Sequence, residues 1–135
     1  MKKVCLLLMG TMVLAAAFAM TKSAKAFPQF EKEFSKKYVG DASTDAQKSL
    51  KKEIARVKKC NICHDPRKGD DGKVSKKNKN PYGVELGKLI NKNDKKDVKK
   101  INAALEKVAG MSAKKDGPKY GELLEKGKLP FEYKD

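Results

Sequence analysis

The chain has 135 residues, 39% of them apolar, and its 32 Lys and Arg outweigh 17 Asp and Glu to give a formal charge of +15. This length suits one domain rather than a multi-domain assembly, and a domain of this size buries only a modest share of its surface. In a cytosolic chain such a charge would point first to nucleic acid, but the opening segment argues for another destination.

Met1-Lys2-Lys3 is followed by an apolar run from Val4 to Met20 and by the small-residue site Ala24-Lys25-Ala26. Basic, then apolar, then A-x-A is the layout of a secretory signal peptide, here spanning 1–26 and cut after Ala26. An uncleaved anchor is the competing reading, because 17 residues sit at the lower limit for crossing a bilayer. Cleavage removes Cys5 and four lysines (Lys2, Lys3, Lys22, Lys25) with no acid, which takes +15 to +11. The expected product is periplasmic or secreted, without stable membrane insertion and without nucleic acid as a partner.

Phe27, Phe30, Phe34 and Tyr38 recur at helical spacing and predict an aromatic arm or short helix over 27–42. Such a stripe more often packs in a core than touches a cofactor. Thr44-Asp45-Ala46-Gln47 reads as a capping box, and Leu50, Ile54 and Val57 give the helix behind it one apolar face that runs straight into Cys60. From Asp65 to Asn80 the residues are polar and aperiodic, which predicts a loop. Pro81 suits the first turn of the next helix, whose apolar face is Tyr82, Leu86, Leu89 and Ile90. Asp94 is the expected N-cap of a helix carrying Val98, Ile101, Leu105 and Val108 and stopped at Gly110. A final helix is expected from about Pro118 to Gly127, burying Tyr120, Leu123 and Leu124. Nothing reads as a strand, a repeat or a second domain, so the expected fold is all-α, with the working domain over 43–135.

The residues that carry chemistry are Cys60-Asn61-Ile62-Cys63-His64. Two thiols three positions apart lie about one helical turn from each other. They can therefore reach the two vinyl groups on one side of a porphyrin and form thioethers, while the adjacent imidazole meets the iron. C-x-x-C-H is read as a haem c attachment site for that reason, and attachment takes place outside the cytoplasm, where the signal would deliver the chain. Three other readings compete. A structural zinc site takes four Cys or His ligands, yet after cleavage only these two cysteines and this one histidine remain. A C-x-x-C redox motif belongs in a βαβ setting, and a plain disulfide would leave the histidine unexplained.

From about Thr44 to the C-terminus the chain resembles a small class I monohaem cytochrome c, in which a helix leads into C-x-x-C-H and a loop, a proline turn, a helix, a methionine loop and a last helix follow. The resemblance implies a small helical domain wrapped around one covalent haem c, with the porphyrin supplying part of the core. It makes Asn80-Pro81-Tyr82-Gly83 similar to the family's proline turn, with the Pro81 carbonyl holding the His64 ring N–H and so fixing its orientation. It makes Met111 the distal iron ligand opposite His64, a pairing associated with electron transfer, although Gly110-Met111-Ser112-Ala113 lacks the proline often found beside the family's methionine. The other reading of Met111 is a flexible gap-filler at a helix end, leaving the iron five-coordinate or bound by water or lysine.

The function expected from these readings is a monomeric electron carrier, not an enzyme, that docks on acidic redox partner proteins. Arg67, Lys68, Lys73, Lys76, Lys77 and Lys79 are the candidates for the docking face, because opposite charge speeds encounter more than it tightens a complex. The bland alternative is that the lysines are a solvated surface. A haem sensor or small peroxidase-like protein with an open iron position, or a haem subunit of a larger redox complex, are the rival functions.

Overall fold

The computed structural model describes residues 28–67, 72, 75 and 77–131. The expected signal segment, Phe27, and Lys68, Lys73 and Lys76 lie outside them. The all-α expectation holds. Among the described residues the elements are α1 (Pro28–Tyr38), α2 (Asp45–Val57), a 3-10 turn (Lys59–Ile62), α3 (Pro81–Leu89), a second 3-10 turn (Lys92–Asp94), α4 (Val98–Ala109) and α5 (Tyr120–Glu125). Extended pairing among them is limited to two isolated antiparallel bridges, His64 with Lys79 and Ser112 with Lys119. No helix among the described residues is long and apolar enough to cross a membrane.

The aromatic stripe forms α1, and it packs on α4. Phe34 is fully buried, while Phe30 and Tyr38 lie against the core at its margin. Around that contact the Tyr38 hydroxyl donates to the Leu105 carbonyl at 3.3 Å and Lys37 pairs with Glu106 at 2.9 Å. The buried Glu33 accepts from Gln29 at 2.7 Å and from Asn102 of α4 at 3.4 Å.

Thr44 caps α2 as its sequence implies: the Gln47 N–H donates to the Thr44 hydroxyl at 3.2 Å, and the Thr44 N–H donates to the Gln47 side chain at 3.1 Å. Leu50 and Ile54 carry its buried face. The helix does not run into Cys60, however. It ends at Val57, because Lys58 takes φ 62° and ψ 138°, outside helical space, before the 3-10 turn begins.

The start of α4 also differs from expectation. Asp97, not Asp94, is its N-cap, accepting from the Lys100 N–H at 2.9 Å. Asp94 closes a capping box of its own with Asn91, accepting the Asn91 N–H at 2.8 Å, and binds the Lys100 ammonium at 2.8 Å. Val98 at the head of α4 is exposed. The last helix begins at Tyr120 rather than near Pro118, and Leu123 is only half-buried. It closes in a Schellman motif, with the Gly127 N–H donating to Leu124 and the Lys128 N–H to Leu123. Gly127, at φ 73°, rests against the first turn of α2, 2.5 Å from the Ala46 carbonyl oxygen to any added Cβ.

These helices share one core, in which Phe34, Leu50, Tyr82, Leu105, Val108 and Tyr120 are fully buried. Three rings run through it in edge contact: Phe34 and Tyr82 at 6.3 Å and 76°, then Tyr82 and Tyr120 at 5.2 Å and 83°. Perpendicular packing places the positive edge of one ring on the negative face of the next.

Candidate cofactor attachment site

The motif Cys60–His64 is a tight turn hung between α2 and the loop that leads to α3. Within it the Asn61 N–H donates to the Lys58 carbonyl at 2.9 Å, and the Cys63 and His64 N–H groups both donate to the Cys60 carbonyl, at 3.4 and 3.1 Å. Lys59 ties the turn to α1 through Glu31 at 2.7 Å. Cys60 is exposed and Cys63 half-buried, and both are free thiols. Burial pushes the Cys63 thiol up to about 12, against the opposing pull of the nearby Lys79 ammonium. His64 is half-buried, with Nδ1 out of reach of solvent.

The second half of the motif lies against residues 78–80 as a short antiparallel ladder. The Asp65 N–H donates to Asn78 at 3.0 Å and the Asn80 N–H to Cys63 at 3.1 Å, which flank the His64–Lys79 bridge. In this arrangement His64 and Lys79 are a non-hydrogen-bonded pair, so their side chains leave the same face at close range. Asn80 then does two things at once. Its side-chain oxygen accepts the Gly83 N–H at 2.8 Å and caps α3, while its amide donates to the Ile62 carbonyl at 2.9 Å and the Asn61 carbonyl at 3.4 Å. Pro81 occupies the first position of α3, directly after this clamp.

Met111 is half-buried against the core. Its N–H donates to Val108 at 2.9 Å, and its carbonyl accepts the Tyr120 N–H at 2.8 Å, which together with the Ser112–Lys119 bridge closes the loop ahead of α5. Met111 is thus joined through the Tyr120 backbone to the Tyr120 and Tyr82 ring pair, and burial drives the Tyr82 phenol well above the ordinary tyrosine value.

A haem c fits this donor set. Two thiols and an imidazole stand on one turn, as thioether formation and iron ligation require. The Tyr82 and Tyr120 hydroxyls, moreover, are buried without a hydrogen-bond partner among the described residues, and burial raises the pKa of Tyr120 too, with Glu85 adding to it. Buried hydroxyls left unpaired are costly, and acceptor groups of a bound prosthetic group could satisfy them. No group of three or more His, Cys, Asp or Glu among the described residues is placed to hold a bare metal ion.

The candidate docking lysines divide. Arg67 is bound to Asp65 by its guanidinium at 2.6 Å and holds that carboxyl below its usual range, chiefly by hydrogen bonding. Lys77 and Lys79 are both exposed, Lys79 with its ammonium end near Gly87 of α3. Sequence reasoning named Asn80 only as part of a turn and passed over Tyr82 and Tyr120 as core. The Asn-Pro pair was the available signal, since Asn is a favoured N-cap and Pro a favoured first helical residue. No family model matches the chain, and neither a curated protein nor a solved structure matches it.

Proposed function

We propose that the chain is an exported electron carrier of the small c-type cytochrome kind, with one haem c bound through Cys60 and Cys63, His64 as proximal ligand and Met111 as distal ligand. The observation that carries this reading is the single turn on which two thiols and the imidazole stand, tied to residues 78–80 so that its second half has a fixed backbone. When bound, haem c supplies a one-electron couple whose potential is tuned by its axial ligands and their surroundings.

The protein's own residues supply the rest. Cys60, exposed, and Cys63, half-buried, offer two sulfurs from one turn. The His64–Lys79 backbone pairing sets the face from which the His64 side chain leaves the turn, and the Pro81 carbonyl is the proposed acceptor for its ring N–H. The buried hydroxyls of Tyr82 and Tyr120 would offer the bound group two donors. Lys77 and Lys79, with the other lysines of that loop, guide acidic redox partners toward the exposed side of the motif, the chain acting as a monomer outside the cytoplasm.

The deciding experiment is a visible spectrum of the ferric and reduced protein together with its intact mass, after expression with a haem attachment system. One porphyrin mass and the band pattern of a low-spin c-type haem are expected, and a colourless protein of polypeptide mass ends the proposal. A second reading, an open iron position suited to sensing or peroxidase-like chemistry, is favoured by the proline-free turn around Met111, and ready carbon monoxide binding by the reduced wild type would select it.

A further inference from the structure

We infer that Asn80 is the positioning residue of the motif: its side-chain amide fixes the peptide planes of Asn61 and Ile62, and with them the direction in which Cys63 and His64 are presented. The role rests on the haem reading only for what the turn presents; the clamp itself stands on geometry. Asn80 is 1% exposed, although asparagine is mostly a surface residue. Capping α3 needs only its oxygen, which Asp, Ser or Thr would supply equally well. The carbonyls of Ile62 at 2.9 Å and Asn61 at 3.4 Å need a donor, and the Asn amide supplies oxygen and nitrogen from one planar group. Gly83 completes the fit, since its missing side chain lets α3 approach the Cys63 carbonyl. The clamp thus spans three successive carbonyls, those of Asn61 and Ile62 through the side chain and that of Cys63 through the Asn80 N–H at 3.1 Å.

Asn80→Asp separates the two tasks, because a carboxylate still accepts from Gly83 but turns an acceptor toward the Ile62 carbonyl. In the full chain, amide exchange should show the wild-type Asn80 and Asp65 N–H groups protected like the helices. In Asn80→Asp the His64 and Asp65 amides should exchange about tenfold faster or more, the scale set by one lost buried hydrogen bond, while Gly83 stays protected. The hyperfine-shifted haem methyl pattern of the ferric variant, which reports imidazole orientation, should also move. Unchanged His64 and Asp65 exchange in a folded Asn80→Asp, or loop-like exchange at wild-type Asn80, overturns the inference. If the variant does not fold, the wild-type exchange alone decides. Should the wild type carry no porphyrin, the functional reading fails while the exchange data still judge the clamp.

Discussion

Gly83 of α3 and Cys63 of the motif meet backbone to backbone: a Cβ on Gly83 would fall well inside contact distance of the Cys63 carbonyl oxygen, carbon and Cα. The helix that follows the loop is therefore seated directly on the turn that carries the thiols. Gly83→Ala should lower stability by about 1–3 kcal/mol, the range for forcing an extra methyl into a packed site. Gly87→Ala is the control, because the nearest obstacle is the flexible end of Lys79. Denaturant midpoints for the two variants test this, and equal midpoints would mean that α3 does not rest on the motif.

Asp97→Ala should cost about 1 kcal/mol, as loss of an N-cap usually does. Native-state exchange should also show faster opening at Lys100, whose N–H the Asp97 carboxylate accepts at 2.9 Å. Retained protection there would transfer the cap back to Asp94.

Asp94 should leave a pH signature. The Lys100 ammonium, and then the Asn91 N–H, hold its carboxyl below the usual carboxylate value. A group with a depressed folded pKa stabilises the native state above its unfolded pKa, and this contribution fades as pH falls through the folded value. Wild type should exceed Asp94→Asn in stability at neutral pH, with the gap closing in acid below about pH 4. A gap independent of pH across that window would refute the assignment.

On the proposed haem ligation, Met111→Ala should abolish the weak red charge-transfer band expected of the ferric protein and admit carbon monoxide to the reduced form. Stability should also fall, because Met111 packs against the core. Persistence of the band would give the distal position to another group.

Electron exchange with an acidic partner should slow as ionic strength rises, because at 0.1 M salt charges more than about 10 Å apart are largely screened. Stopped-flow rates measured across a salt series would show this as a steady decline. A flat profile would return the lysines to the role of solvated surface.

What was legible in the sequence was what depends on near neighbours. The Thr44–Gln47 box needs residues three apart and formed as read, and Pro81 opens α3 as its missing N–H allows. The aromatic stripe from Phe30 to Tyr38 became α1 for the same reason. Asp94 and Asp97 are both competent caps, and local pattern could not rank them, because the choice depends on Asn91 and Lys100 each finding a partner. Nothing in Val57-Lys58-Lys59 announces a helix end, since lysine is a good helix former. In the candidate site, spacing alone singled out Cys60, Cys63 and His64 as candidates, whereas the side-chain bonds of Asn80 reach carbonyls 18 and 19 positions away. The Tyr82 and Tyr120 hydroxyls were equally hidden, because periodicity reports that a ring is buried and says nothing of its oxygen.

At Lys58 a lysine holds backbone angles that glycine adopts freely and other residues only at a cost of order 1–3 kcal/mol. That break takes the chain off the axis of α2 before the sulfur-bearing turn begins. The heading of the reactive groups is then set from ahead, by the ladder with residues 78–80, and from the side, by the tie of Lys59 to Glu31, as well as by the helix behind them.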